Sequence, residues 1–404
     1  MSAQKKFAFE VNLIYYIYKH IYKHIGAAMN KRVIIIGAGA SGLACAIRLK
    51  QNNRDTEVCV LERLDTPGKK ILATGNGRCN ITNANAEHSA EAKEFFGGIG
   101  LMLKELDEGR IYPYSLKAET VLSVLLDECE KLGVKIMTGC AVKAVLKKSN
   151  GFTVKTESDD FECGFVVFAA GGKAQSALGS NGSCYSILKS LGHSITPLFP
   201  ALVQLTSSSK YPRAIKGTRT RCGIKILING KESASEYGEV LFTDYGLSGI
   251  AVMNISAAVS GAFANGGSPK CLAVLDLIPE LTESEVKRHL EKFGSLKGIL
   301  GTKLCGIIEK QAGKGNAAAQ AKTAKNWQLI ITGTKGFDFA QITSGGIPIS
   351  ETNNFESKKV KQIYICGELL DRQFPCGGFN LDFAWHSGIA AADSITKECG
   401  YDKN

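Results

Sequence analysis

The feature that most restricts this chain is a β-branched run, Val33-Ile34-Ile35-Ile36. It passes into Gly37-Ala38-Gly39-Ala40-Ser41-Gly42 and then Leu43-Ala44-Cys45-Ala46-Ile47-Arg48-Leu49. Such a run suits a strand buried on both faces, as in a parallel sheet, and the segment after the glycines reads as helix. A G-x-G-x-x-G hexad alone is a weak signal. Between a strand and a helix it predicts the first turn of an α/β, Rossmann-like fold that holds a dinucleotide. Gly37 permits the tight turn, Gly39 lets the backbone approach a pyrophosphate, and Gly42 lets helix pack close to strand. The N–H groups around Ala38, Ala40 and Ser41 then face an anion at the positive end of the helix. After a second strand at 57–61, Glu62 stands 20 residues beyond Gly42, where a carboxylate reaches a ribose hydroxyl, and Arg63 follows it. The competing reading is a glycine-rich strand–helix turn with an exposed Glu62.

A length of 404 residues gives room for two or three domains, and 44% hydrophobic with 22% charged residues describes a globular chain. The net charge of +11 is mild at this length and contains no run of five basic residues. It favours anionic ligands without selecting nucleic acid. Thirteen scattered cysteines without a C-x-x-C pair argue against a disulfide framework, a zinc ribbon or an iron–sulfur cluster, and fit reduced thiols in a cytoplasmic protein. No apolar stretch approaches the ~18 residues of a membrane span.

Residues 1–28 differ in character, with Ile17-Tyr18-Lys19-His20 repeated as Ile21-Tyr22-Lys23-His24. His20 and His24 would lie one helical turn apart, but no third ligand is near, so a solvated helix face is expected and no metal site. Either Met29 is the natural start or residues 1–28 are an appendage before it.

Downstream of Glu62, residues 67–83 are rich in glycine, amides and lysine and show little periodicity, so they read as a loop fixed by what it binds. A helix is expected at 118–132, a third parallel strand at 134–137, and an apolar strand from Phe165 that ends in Ala169-Ala170-Gly171-Gly172. Ile363-Tyr364-Ile365-Cys366-Gly367-Glu368 reads as a late strand, and Pro375-Cys376-Gly377-Gly378-Phe379-Asn380 opens a last helix. Taken alone, that helix is merely a capped C-terminal one. Between about 193 and 343 the strand–helix alternation stops. Short antiparallel strands are expected at 203–205, 222–228, 238–242, 271–277 and near Leu198. Helices are expected at 282–293 and from 304 through 329, with an interruption at 312–325. The resulting division is an extension (1–28), a first part of the dinucleotide domain (29–195), an insert (196–342; β-rich 196–279, helical 280–330) and a second part (343–404).

The loop from Lys69 to Asn83, following the N-terminal fingerprint, resembles the YhiN/BaiN-type (aminoacetone oxidase-like) FAD-dependent oxidoreductases, from about Lys31 to the last helix. The resemblance implies FAD, with substrate bound between insert and flavin. It implies contacts from the fingerprint residues, Glu62, Arg63, Lys70, Ile71, Gly77, Arg78, Cys79 and Asn80. It extends them to Val142 at the adenine, to Ala170, Gly171 and Gly172, and to Gly367, Glu368, Gly377, Gly378, Asn380 and Leu381. Three places depart from relatives: Gly179-Ser180-Asn181-Gly182-Ser183-Cys184-Tyr185 lacks a carboxylate, Asp244 stands where histidine is common, and Cys376 where threonine is.

Flavin would carry the redox chemistry, leaving the protein to orient substrate and supply a proton. For an activated C=C bond, the catalytic candidates are Arg78 to stabilise negative charge and Tyr112 or His386 to donate a proton. Each has a plain alternative: Arg78 holding pyrophosphate, Tyr112 packing, His386 structural. Cys79 and Cys376 have no partner at fixed spacing, and inert packing is expected. No second strand–G-x-G-x-x-G–helix unit exists, so NAD(P)H would bind transiently or another donor would act. The expected function is a reductase of a hydrophobic enone, a small-molecule substrate. The alternatives are an amine oxidase that forms hydrogen peroxide, as the aminoacetone-oxidase label of relatives implies, and a flavin-containing nucleic-acid or partner-binding protein.

Overall fold

The computed structural model describes residues 32–264 and 268–400; the repeat carrying His20 and His24, the 1–28 extension and Met29 lie outside the described residues. The chain opens with β1 (Arg32–Ile36), α1 (Ala40–Asn52), β2 (Glu57–Leu61) and a short α2 (Lys69–Ala73). Next come α3 (Ser89–Gly98), α4 (Ala118–Lys131), β3 (Lys135–Met137) and β4 (Phe165–Phe168). The insert contributes β5 (Leu205–Ser207), β6 (Arg219–Ile228), β7 (Lys231–Phe242), β8 (Gly246–Ser248), α5 (Ile250–Ala264) and β9 (Cys271–Asp276). It ends with α6 (Glu283–Phe293), α7 (Thr302–Ala312), α8 (Ala317–Lys325) and β10 (Trp327–Thr334). The chain returns through β11 (Thr352–Asn353), β12 (Glu356–Ser357), β13 (Ile363–Ile365) and α9 (Phe379–Glu398).

The expected α/β class is observed. One sheet has the order β11-β12-β13-β4-β1-β2-β3, parallel from β13 to β3. Val33–Ile36 and all of β4 and β13 are buried, as a sheet covered on both faces requires. α1 and α9 cross closely on one face. A Cβ on Gly388 of α9 would overlap the Ser41 carbonyl oxygen, so this crossing needs glycine.

In the insert, β5, β8, β7, β6, β9 and β10 close into an antiparallel barrel, with β10 pairing both β9 and β5. Trp327, Leu329 and Ile331 point inward, and Trp327 packs on Phe242 and donates to Gln311 Oε1 at 2.7 Å. α6 begins with a capping box: Thr282 Oγ1 accepts from Glu285 N while the Glu285 carboxylate accepts from Thr282 N at 2.8 Å.

Several sequence expectations are corrected. The 312–325 interruption contains α8, and 327–329, expected as helix, begin the strand that closes the barrel. The alanine-rich stretch has good helix propensity, whereas the inward–outward alternation of 327–332 satisfies β9 and β5 at long range. The strand expected at 203–205 lies at Leu205–Ser207, and the 67–83 loop contains the one-turn helix α2. Sequence reading missed α5, which is apolar on most of its surface and so shows little periodicity, and a three-stranded antiparallel sheet (Ala144–Lys148, Gly151–Lys155, Asp160–Cys163). No described helix is long and apolar enough to cross a membrane.

Candidate active site

One cavity of about 670 Å³ runs from the β1–α1 turn, past α2 and the N-terminus of α9, to the barrel. At its first end, Gly37 adopts φ +107° and donates to Leu61 O at 2.8 Å, and an added Cβ would lie 2.6 Å from Ala169 O. A Cβ on Gly42 would overlap the Gly37 carbonyl oxygen. Protein atoms therefore demand these two glycines. Gly39 differs: a Cβ there meets only Ala169 O, at 3.9 Å, and the residue opens into the cavity as the N-cap of α1 without a side-chain cap. The bare helix terminus and its dipole favour an anion there.

Glu62 is buried; Oε2 accepts from Ala38 N and Oε1 from Leu64 N, each at 2.9 Å. The carboxylate is thus held by two backbone donors, which retires the reading of an exposed residue. Arg63 donates to Ser176 O at 3.1 Å while its buried Nε has no partner. Further along, Lys70 Nζ lies 2.8 Å from Glu368 Oε2, and Glu368 Oε1 accepts from Thr343 N at 2.8 Å. Asn80 Oδ1 is buried and unpartnered at the same wall. Gly378 (φ +104°) precedes α9; a Cβ would sit 2.5 Å from Thr82 O. Asn380 ties the turn together, accepting from Phe374 N at 3.1 Å and donating to Phe374 O at 2.9 Å.

Arg78 is exposed to the cavity, its guanidinium 4.9 Å above the buried Tyr112 ring. The barrel side of the cavity is formed by Gln204, Ile250, Met253, Phe339, Gln341 and Ile342. Cys376 bridges the two sides: its N donates to Asn254 Oδ1 at 2.9 Å and its Sγ to Gln341 Oε1 at 3.5 Å, and burial pushes the thiol up to about 11.

Most sequence-named residues come together here: Gly37 to Ser41, Glu62, Arg63, Lys70, Ile71, Arg78, Asn80, Tyr112, Val142, Ala170, Gly171, Gly367, Glu368, Gly377, Gly378, Asn380 and Leu381. Five do not line the cavity. Gly42 packs under the turn. Gly77 lies off the cavity wall. Cys79 is wholly buried, its thiol pushed up to about 12 by burial. Gly172 sits behind the wall against Thr343 and Glu368. His386 is a correction as proton donor. It stacks on His88 at 3.4 Å with Nδ1 2.7 Å from Glu91 Oε2, pinning α9 to α3 away from the cavity. It stands two residues beyond the cavity-lining Ala384, about 200° further round the helix, and so falls on another face.

Sequence reading also missed Gln204, Ile250, Met253, Gln341, Thr343 and Arg372. Only Gln204 carried a signal, a polar residue inside Ala201-Leu202-Val203-Gln204-Leu205.

A family model, the HI0933-like protein Rossmann domain, matches residues 31–93 and 88–394. The chain belongs to the HI0933-like family. This HI0933-like chain is 36% identical over 403 residues to the 3-dehydro-bile acid delta(4,6)-reductase of Clostridium scindens, covering 89% of this chain and 98% of that protein. It is 28% identical over 411 residues to the ribosomal RNA dihydrouridine synthase of Haemophilus influenzae, covering 90% and 98% respectively. Among solved structures, the 3-ketosteroid delta1-dehydrogenase from Sterolibacterium denitrificans in complex with 1,4-androstadiene-3,17-dione superposes with TM-score 0.50 and 12% identity, over 91% of this chain and 99% of that one. At that identity the likeness shows the fold alone. The HI0933-like chain is an FAD-dependent oxidoreductase. Its cavity fits such a cofactor: the uncapped N-terminus of α1, the open Gly39 and the Arg63 guanidinium suit an extended anionic group, and the Asn80 amide oxygen suits a hydrogen-bond donor of the same molecule.

Proposed function

We propose that this enzyme is an NAD(P)H-linked reductase of an activated C=C bond in a hydrophobic ketone-type substrate. The observation that carries the reading is the continuity of the cavity, which joins the dinucleotide turn to an apolar wall of Ile250, Met253, Phe339 and Ile342. The names of both relatives are consistent with it, since a delta(4,6)-reductase and a dihydrouridine synthase each add hydrogen across a C=C bond.

FAD, when bound, supplies the hydride chemistry. In this reading the N–H groups of Gly39 to Ser41 hold the pyrophosphate, and Glu62 uses its remaining lone pairs on a ribose. Val142 meets the adenine, and the start of α9 with Lys70 and Glu368 holds the other end. The guanidinium of Arg78 stabilises the charge that grows on the carbonyl oxygen as the bond is reduced, and Tyr112 supplies the proton to the neighbouring carbon.

The test is spectroscopic. NADPH added anaerobically should bleach the purified flavoprotein, and an enone such as testosterone should restore the oxidised spectrum. A flavin inert to both reagents discards the reading.

One feature favours a uracil-type substrate within RNA as a second reading. Lys335 lies 4.1 Å from the ring centroid of the cavity-lining Phe339 and 4.7 Å from that of Tyr245, and Lys173 lies 4.9 Å from that of Phe337. Cations interleaved with rings suit stacked bases and phosphates. Salt-sensitive binding of a single-stranded RNA that weakens on Lys335→Ala would support it.

A further inference from the structure

Gln204 occupies an unusual position. Its carbonyl oxygen accepts from Lys335 N at 3.0 Å, just beyond the barrel-closing strand β10. The preceding Val203 N donates to Ser256 Oγ of α5 at 3.1 Å. The backbone at Gln204 is therefore fixed from two elements. Its side chain reaches the cavity wall, yet Oε1 is shielded from solvent and has no hydrogen-bond partner. Buried polar atoms are almost always paired, and leaving one unpaired carries a full desolvation penalty.

Of the residues that carry unpartnered buried side-chain atoms among the described residues, Arg63, Asn80 and Gln204 line this cavity. The first two lie beside the dinucleotide turn and α2, within reach of the cofactor. Gln204 comes from the barrel side and lines the cavity with Ile250, Met253 and Ile342, away from the dinucleotide turn.

We propose that the Gln204 carboxamide hydrogen-bonds a hydroxyl of the substrate, so that the enzyme selects a rigid apolar enone carrying one hydroxyl directed at the barrel. The inference rests on the enone reading above and names what that substrate must bear. The apolar wall accepts the carbon skeleton without distinguishing one apolar skeleton from another, whereas a buried amide penalises an analogue that leaves it unpaired. Sites built to pair a substrate hydroxyl reject the deoxy analogue far more strongly than apolar pockets reject a missing methylene.

The experiment uses the flavin-loaded full chain and reads ligand binding from the perturbation of the flavin spectrum, independently of turnover. Testosterone and its analogue lacking the hydroxyl are titrated against wild type, Gln204→Met, which keeps the volume, and Gln204→Asn, which keeps the amide. Wild type should prefer testosterone by about tenfold or more. Gln204→Met should lose that preference through testosterone alone, and Gln204→Asn should retain part of it. Flavin content and the melting temperature report folding of each variant.

The inference is overturned if wild type binds the pair equally, if Gln204→Met weakens both ligands alike, or if neither ligand binds. Preferential, Gln204-dependent binding of uridine would also overturn it, by assigning the amide to a base. Turnover with NADPH separates the two levels: reduction of both enones without discrimination refutes the Gln204 assignment alone, and discrimination without reduction refutes the reductase reading alone.

Discussion

In the parallel sheet, Val33 to Ile36 of β1 and Phe165 to Phe168 of β4 are buried on both faces, whereas in the barrel Trp327, Leu329 and Ile331 alternate with outward Gln328, Ile330 and Thr332. The same contrast separates the two walls of the cavity. On the sheet side the wall is largely backbone: turns where a Cβ on Gly37 or Gly378 would strike a carbonyl, and the uncapped N-termini of α1 and α9. On the barrel side it is side chains, from Gln204 through Ile250 and Met253 to Ile342. A backbone wall is set by the fold and admits one kind of ligand. A side-chain wall can be retuned one residue at a time, and so can vary its substrate while the cofactor stays constant.

Four perturbations sharpen or break this contrast. The largest effect is expected from Trp327→Ala, which empties the barrel centre and should cost about 3–5 kcal/mol. Differential scanning calorimetry should then show the barrel melting early while bound flavin survives at low temperature. A single common transition would mean that the two regions stand or fall together.

Gly42→Ala follows, because its methyl has no space beneath the Gly37 turn; a loss of about 1–3 kcal/mol is expected. The absorbance ratio of flavin to protein should fall with it. Full flavin occupancy in that variant would show that the turn adapts.

Glu368→Gln removes the charge partner of Lys70 while keeping an acceptor for Thr343 N, and should weaken flavin retention by about 1–2 kcal/mol. Equilibrium dialysis of the flavin measures it. The smallest effect concerns Cys376, whose thiol is held at about 11 by burial. The reactive thiolate is a small minority below that value, so alkylation by iodoacetamide at pH 8 should be slower than for a free thiol and should rise as pH approaches 11. Rapid labelling at pH 8, located by peptide mass, would reveal a more open seam between the walls.

The sheet side was largely legible in sequence because its signals are local. The run from Val33 to Gly42, the arrival of Glu62 after β2, and the Gly377-Gly378 turn each combine a strand or helix with a residue type that little else explains. The loop resemblance carried Lys70, Arg78 and Asn80 to the same cavity. The barrel was legible only in fragments. β6, β7 and β9 show alternation, but β10 follows an alanine-rich helix and reads as its continuation until β9 and β5 pair with it. α5 carries only Asn254, Ser256 and Ser260 among apolar and small residues, so little in its order says which face meets the barrel. His386 looked catalytic because histidine suits proton transfer. Only the crossing of α9 over α3, which stacks it on His88, assigns it to packing.

By itself, the order of residues fixed the α/β class, the turn that receives a dinucleotide, and the glycines that turn requires, since short-range sterics and periodicity decide these within a few residues. The closure of the barrel, the side of α9 on which His386 falls, and the gathering of Gln204, Ile250, Met253 and Cys376 around one cavity were decided by tertiary structure alone. Those contacts join segments far apart in the chain, and their energies arise only when distant surfaces are buried together.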